Sequence, residues 1–143
     1  MEKAAIRLAR SGENGLLWTA MAVGGGTVSA RRRDEYVRAI EIVLVTLLLN
    51  TVVKQTVRRA RPVLEEELPA LTPVLSGRSY PSAHASTSFA GARALATAGL
   101  PAAPLHAAAL AMALSRPYLG VHYPSDVVAG ALLGDSVARL MSR

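Results

Sequence analysis

Ile42-Val43-Leu44-Val45-Thr46-Leu47-Leu48-Leu49, bounded by Arg38 and Lys54, is the strongest apolar run in the chain. Helical periodicity gives it no polar face, which places such a helix in a core or against lipid rather than at a water-exposed surface. It belongs to a segment from about Arg38 to Val57, and four further apolar segments surround it. These run from Gly15 to about Ala30, from about Ser82 to Leu100, from about Ala102 to Leu114 and from about Val127 to Met141. The last three are rich in Ala, Gly, Ser and Thr, the residues through which tightly packed membrane helices approach one another. Trp18 lies near one end of the first segment, as membrane-interface anchors often do, and Gly24-Gly25-Gly26 permits close packing there. Each segment is short against the roughly 20 residues that a bilayer core needs, so flanking polar residues or local thinning complete the crossing. The expected fold is therefore all-α: a compact transmembrane bundle of about five spans forming a single domain over residues 1–143. A soluble all-helical domain is the alternative.

Composition fits this reading. The chain has 143 residues, 51% hydrophobic but only 4% aromatic, so its core must be built from Ala, Leu and Val. Cysteine is absent, which excludes a disulfide framework or a thiolate metal site. A net charge of +6 calls for an anionic partner such as nucleic acid, acidic headgroups or a phosphorylated substrate. At the N-terminus Lys3, Arg7 and Arg10 alternate with apolar residues. Residues 1–14 thus read as an interfacial or surface helix rather than a cleaved leader. Charges inside the spans need partners. Asp135 and Arg139, four apart, can pair along one helix, and Glu41 and Arg93 are expected to pair between helices.

The reactive side chains collect in the second and fourth connections, which alternating spans place at one face. His122 and Asp126 stand four apart, so the carboxylate can hold one imidazole nitrogen and leave the other as a base or nucleophile. Arg116 adds a fork of donors suited to phosphate. Lys54 and Arg61, seven apart, fall on nearly one face of a helix that Pro62 closes, with Arg58 between them. The connection that follows carries Glu65-Glu66-Glu67, Pro69 and Pro73. Tyr80-Pro81-Ser82-Ala83-His84 reads as a helix start whose free N–H groups form an anion site. His84 stands there, able to protonate a leaving oxygen.

Together, Lys54-x6-Arg61-Pro62, Pro81-Ser82-Ala83-His84 and Ser115-Arg116-x5-His122-x3-Asp126 resemble the three-part signature of the type 2 phosphatidic acid phosphatase family, over about residues 40 to 140. The family includes membrane lipid phosphatases, soluble acid phosphatases and vanadium haloperoxidases. One position departs: Ala83 stands where the second motif commonly has Gly. The resemblance implies that His122 attacks phosphorus to form a phosphohistidine and that Asp126 fixes its tautomer. It implies that Lys54, Arg61 and Arg116, with Ser82 and the Ala83 N–H, hold the three equatorial oxygens. His84 then protonates the leaving alkoxide and activates water. No residue cluster resembles a metal site, so hydrolysis without metal or other cofactor is expected. The expected partners are a lipid-linked phosphate and the bilayer, with no nucleic acid. The short, Ala- and Arg-rich chain looks like small actinobacterial members, some of which dephosphorylate decaprenylphosphoryl-5-phosphoribose on the route to cell-wall arabinan. Polyprenyl pyrophosphate, phosphatidylglycerol phosphate and phosphatidic acid stay open as substrates. A haloperoxidase-like oxidoreductase and a non-catalytic lipid-binding protein are the readings from other classes. The resemblance places the protein in a bacterial inner membrane, and a cytoplasmic Arg31-Arg32-Arg33 turn puts the site outside.

Overall fold

Cap chemistry fixes where the helices begin and end. In the computed structural model, which describes residues 6–7, 10–62 and 77–142, five α-helices follow a short 3-10 turn at Glu13–Gly15. They are α1 (Leu16–Val28), α2 (Arg33–Val57), α3 (Ala83–Thr97), α4 (Ala102–Tyr118) and α5 (Pro124–Met141), with a second 3-10 turn at Ala30–Arg32. Ser82 caps α3, its hydroxyl accepting from the Ala85 N–H. Pro124 opens α5, and Asp126 two residues on accepts the Tyr123 N–H at 3.0 Å, one arm of a capping box. At the other end of α2, Arg58 takes a left-handed conformation (φ 54°) and donates its N–H to the Lys54 carbonyl.

The architecture is all-helical, as expected. Among the described residues, backbone pairing outside helices is limited to one antiparallel bridge, Ala60 to Arg78. Three boundaries differ from expectation. α2 begins at Arg33, α4 runs on through Arg116 to Tyr118, and α5 begins at Pro124. Pro117 sits in the last turn of α4, where losing one N–H shortens the helix without preventing that turn.

α3 is the axis of the bundle, packed on α5, α4 and α2. Its buried residues are nearly all small: Ala85, Ser86, Thr87, Ser88, Ala90, Gly91, Ala92, Ala94 and Leu95. Gly130 and Gly134 of α5 lie directly on the Ser82 and Ser86 carbonyls, so these two helices meet backbone to backbone. Trp18 is buried in the core rather than at an interface. Gly91 leaves room for its indole, and Ser88 Oγ accepts its N–H at 3.1 Å. Gly25 gives the Tyr36 ring the same clearance.

Asp135 and Arg139 pair as expected, at 2.7 Å. The Glu41–Arg93 pair does not form: Arg93 pairs with Asp135, and Glu41 is exposed. The cause is helix rotation. Arg93 continues the stripe of Ser82, Ser86 and Ala90 that faces α5, and Asp135 directly follows Gly134 on the opposing face.

Large apolar side chains point outward instead. Leu44, Leu48, Val52, Leu110, Leu114, Val128 and Leu132 are each at least half exposed, while Thr46, Asn50, Ser86, Thr87 and Ser88 are buried. One helical run, Ala30–Val57, is by itself long and apolar enough to cross a bilayer, with a mean hydropathy of 1.8 in its most apolar window. The other four helices have 13 to 18 residues. Of the N-terminal stretch, Lys3, Leu8 and Ala9 lie outside the described residues, as do Glu65-Glu66-Glu67, Pro69 and Pro73 of the long connection. Ile6 packs against Leu119 and Val121, and Gly12 against Met112, so these two residues lie along the end of α4 and the turn that follows it.

Candidate active site

Four helix ends converge at one end of the bundle: the end of α2, the start of α3, the end of α4 and the start of α5. Between them lies a cavity of about 300 Å³ into which Lys54, Arg61, Arg78, His84, Arg116 and His122 all open. The three separate sequence motifs thus meet at one place. The second and fourth connections share a face, as alternating helices require.

Each side chain arrives by its own route. Lys54 comes from the last turn of α2. Arg61 does not share a helical face with it. The helix ends at Val57, Arg58 turns the chain, and Ala60 then pairs with Arg78. Pro62 disfavours the helical conformation at Arg61, which accounts for the earlier stop. Arg58 turns back on the helix end, its Nε donating to the Gln55 carbonyl. Arg61 reaches the cavity from this extended segment, donating to the Val121 carbonyl at 2.7 Å. His84 and Ala83 occupy the first turn of α3, where unpaired N–H groups favour an anion. Ser82 is fully buried and engaged as the cap, outside the cavity lining. Its N–H donates to the Asp126 carbonyl at 2.9 Å, tying the start of α3 to the start of α5.

His122 is oriented by its two nitrogens facing different partners. Nε2 lies 3.4 Å from Arg61 Nη1, and Nδ1 lies 3.7 Å from Asp126 Oδ2. A guanidinium only donates, so the nitrogen facing it carries the lone pair and the hydrogen falls on Nδ1, toward the carboxylate. That leaves the imidazole lone pair on Nε2. The Nδ1–Asp126 separation is longer than a hydrogen bond, a slack common in unliganded catalytic sites.

Burial, reinforced by Arg61, Arg116, Lys54 and His84, pushes the His122 pKa down to about 2. Asp126 does not reverse this, because its carboxylate is already committed. It accepts from Ser79 Oγ, from Arg59 Nη1 at 2.9 Å and from the Tyr123 N–H at 3.0 Å. Burial also lowers Arg61, with Asp126 opposing, yet a guanidinium starts so high that it stays a cation. Arg116 is 4% exposed, and its Nε and Nη1 have no partner among the described residues. Unsatisfied buried donors cost about 1–3 kcal/mol each. A guanidinium held that way beside a cavity is built to receive an acceptor.

Several contributors escaped sequence reasoning. Arg59 stacks over the Tyr123 ring at 4.0 Å while holding Asp126 and Ser125. Ser79, also on Asp126, is fully buried. Asn50 donates from α2 to Ser86 Oγ at 2.9 Å and to the Pro81 carbonyl at 3.3 Å, bracing the α3 start. A lone amide one turn before Lys54 in an apolar helix was the signal for it. Arg59 and Arg78 were hidden among neighbouring cations, and Glu13 and Asn14 on the cavity wall lay in a stretch read as a surface helix.

Residues 35–143 match the model of the PAP2 superfamily. The chain is 38% identical over 140 residues to a decaprenylphosphoryl-5-phosphoribose phosphatase of Mycobacterium tuberculosis, covering 94% of this chain and 75% of that one. A protein of the same name from Mycolicibacterium smegmatis is 37% identical over 124 residues, covering 86% and 67%. Among solved structures, a transmembrane PAP2-type phosphatidylglycerolphosphate phosphatase from Bacillus subtilis shares the fold. The TM-score is 0.76 at 23% identity, covering 98% of this chain and 74% of that one.

Proposed function

The chain belongs to the PAP2 superfamily, and from that footing we propose that it is a membrane lipid-phosphate phosphatase working through a phosphohistidine on His122, with decaprenylphosphoryl-5-phosphoribose as substrate. The observation that carries this reading is the convergence of a neutral, aimed imidazole with Lys54, Arg61, Arg116 and His84 on one cavity. The relatives' activity, at 38% identity over nearly the whole chain, supports the substrate.

The steps balance simply. His122 Nε2 forms a bond to phosphorus as the bond from phosphorus to the leaving oxygen breaks. His84 supplies that oxygen's proton. Lys54, Arg61 and Arg116, with the Ala83 N–H, hold the equatorial oxygens, where fixed cations stabilise the transition state without reorganising. The phosphoimidazolium keeps its hydrogen on Nδ1, facing Asp126. Water, deprotonated by His84, then attacks phosphorus and returns His122 neutral. Ser82 acts through the helix it caps.

Placement in a bilayer is supported by outward Leu and Val with inward Ser, Thr and Asn, the inverse of a water-soluble bundle. All five helices cross, the four shorter ones through thinned bilayer or with their polar flanks. Arg32 donates to the Ala98 carbonyl at 2.9 Å, so the Arg31-Arg32-Arg33 turn sits at the end of α3 opposite the cavity. With that turn cytoplasmic, the site faces outward from the inner membrane. Cysteines introduced singly at Arg33 and Arg58 report this by labelling of intact cells: only the Arg58 site is expected to react.

The test of function is phosphate release from decaprenylphosphoryl-5-phosphoribose, phosphatidylglycerol phosphate, phosphatidic acid and polyprenyl pyrophosphate. The first is expected to be turned over best, and vanadate, which adopts five-coordinate geometry, to inhibit. Release from none of them by folded wild-type protein defeats the proposal.

A further inference from the structure

A carboxylate opens into the same cavity as the cations. Glu13 and Asn14, in the 3-10 turn before α1, line it together with Thr51 and Gln55 of α2. The turn's depth is fixed by three contacts. Gly15 lies against Val43 of α2 and Thr87 of α3, and Gly12 lies against Met112 of α4. Val43 precedes Leu47 by one helical turn, Thr87 follows Ala83 by one turn, and Met112 precedes Arg116 by one turn. In all three helices the displacement runs away from the cations and toward the middle of the bundle. Glu13 and Asn14, held between these contacts, therefore form a polar wall on the bundle-centre side of the phosphate cage.

A carboxylate there is unfavourable for a phosphate as such, since like charges repel in a partly desolvated site. Among the described residues Glu13 has no ion pair within 4.0 Å, although it lies near enough to act on the Arg116 charge. What such a group binds well is a hydroxyl, which donates one strong hydrogen bond to it. Asn14 and Gln55 add both donors and acceptors, and Thr51, whose proton goes to the Leu47 carbonyl, keeps acceptor lone pairs.

We propose that Glu13, with Asn14, Thr51 and Gln55, selects lipid phosphates whose leaving group carries free hydroxyls next to the scissile bond, as a sugar phosphate does. This inference rests on the phosphatase reading above. An apolar leaving group would instead set carbon against a carboxylate and leave it unsatisfied, the arrangement by which polar sites reject substrates lacking a hydroxyl. Phosphatidic acid is disfavoured on this ground, and polyprenyl pyrophosphate, whose leaving group sets a second phosphate beside the scissile bond, is disfavoured by repulsion from the carboxylate.

The test compares kcat/KM for decaprenylphosphoryl-5-phosphoribose and its 2,3-dideoxyribose analogue in the same detergent micelles, for wild type, Glu13→Ala and Glu13→Gln. Wild type is expected to prefer the hydroxylated lipid by about ten- to a hundred-fold, the range for one hydrogen bond to a charged group. Glu13→Ala should bring that ratio close to one. Glu13→Gln, nearly the same shape with a carbonyl acceptor, should retain an intermediate preference. A ratio equal in wild type and both variants overturns the inference while leaving the phosphatase reading intact. So does an equal rise on both lipids in Glu13→Ala, the mark of a carboxylate that merely competes with phosphate. Wild type that cleaves neither lipid overturns both.

Discussion

Asp126→Asn separates the structural from the catalytic work of one buried carboxylate. Asp126 is fully buried and accepts three hydrogen bonds, from Ser79, Arg59 and the Tyr123 N–H. An asparagine keeps one oxygen and turns the other acceptor into a donor. The cheaper orientation keeps the oxygen toward Ser79 and Tyr123 and turns the amide toward Arg59. That guanidinium, its side chain 39% exposed, can move into water. The variant therefore loses one charge-assisted bond, at a cost of about 1.5–3 kcal/mol. Asp126→Ala orphans the Ser79 hydroxyl and the helix cap as well, at about 3–5 kcal/mol. Activity should fall much further than stability. The oxygen kept is also the one facing Nδ1, so the tautomer survives and the loss is of the charge that offsets the phosphoimidazolium; kcat is expected to drop by about two to three orders of magnitude. Thermal unfolding in detergent gives the first quantity, and turnover well below the unfolding midpoint gives the second. A folded Asp126→Asn protein with kcat within tenfold of wild type would refute the electrostatic role of the carboxylate.

Helix contact and histidine ionisation give two more predictions. Gly134→Ala drives a methyl into the Ser86 carbonyl. Overpacking against backbone is expected to cost about 1–3 kcal/mol and to lower turnover, because α3 and α5 carry His84 and Asp126; an unchanged unfolding midpoint would contradict the close packing. For pH, the folded His122 pKa near 2 lies below the ordinary 6.5. The unfolded chain thus binds the extra proton throughout that window, and stability falls as pH drops through it. The slope is up to about 1.4 kcal/mol per pH unit. Wild type should therefore lose stability faster than His122→Gln between pH 6.5 and 4.5, and parallel curves would show that the imidazole is not held neutral.

The chemistry was more legible in the sequence than the packing. The meeting of Lys54, Arg61, His84, Arg116 and His122 at one cavity, with Asp126 behind His122, was readable because alternating helices bring the second and fourth connections together. Helix rotation was not readable. Segments apolar on every side give no facing signal, so Glu41 was paired with Arg93 when Asp135 was the neighbour. For the same reason Trp18 was set at an interface when Gly91 had made a slot for it. Arg61 was put on the helical face of Lys54 because a seven-residue spacing fits a helix. The turn at Arg58 shows its effect only once Ala60 meets Arg78 across the connection. Asp126 was read as a partner of His122 alone, whereas three donors from separate segments converge on it.

The phosphohistidine proposed on His122 can be trapped. Wild-type protein mixed with substrate carrying ³²P in the scissile phosphate and quenched in base within the first turnover should retain label that is stable to alkali and released by acid, mapping to His122. His122→Gln should retain none and lose turnover by several orders of magnitude. Label that survives acid, label on a hydroxyl side chain, or full turnover in His122→Gln would contradict a phosphohistidine at this position.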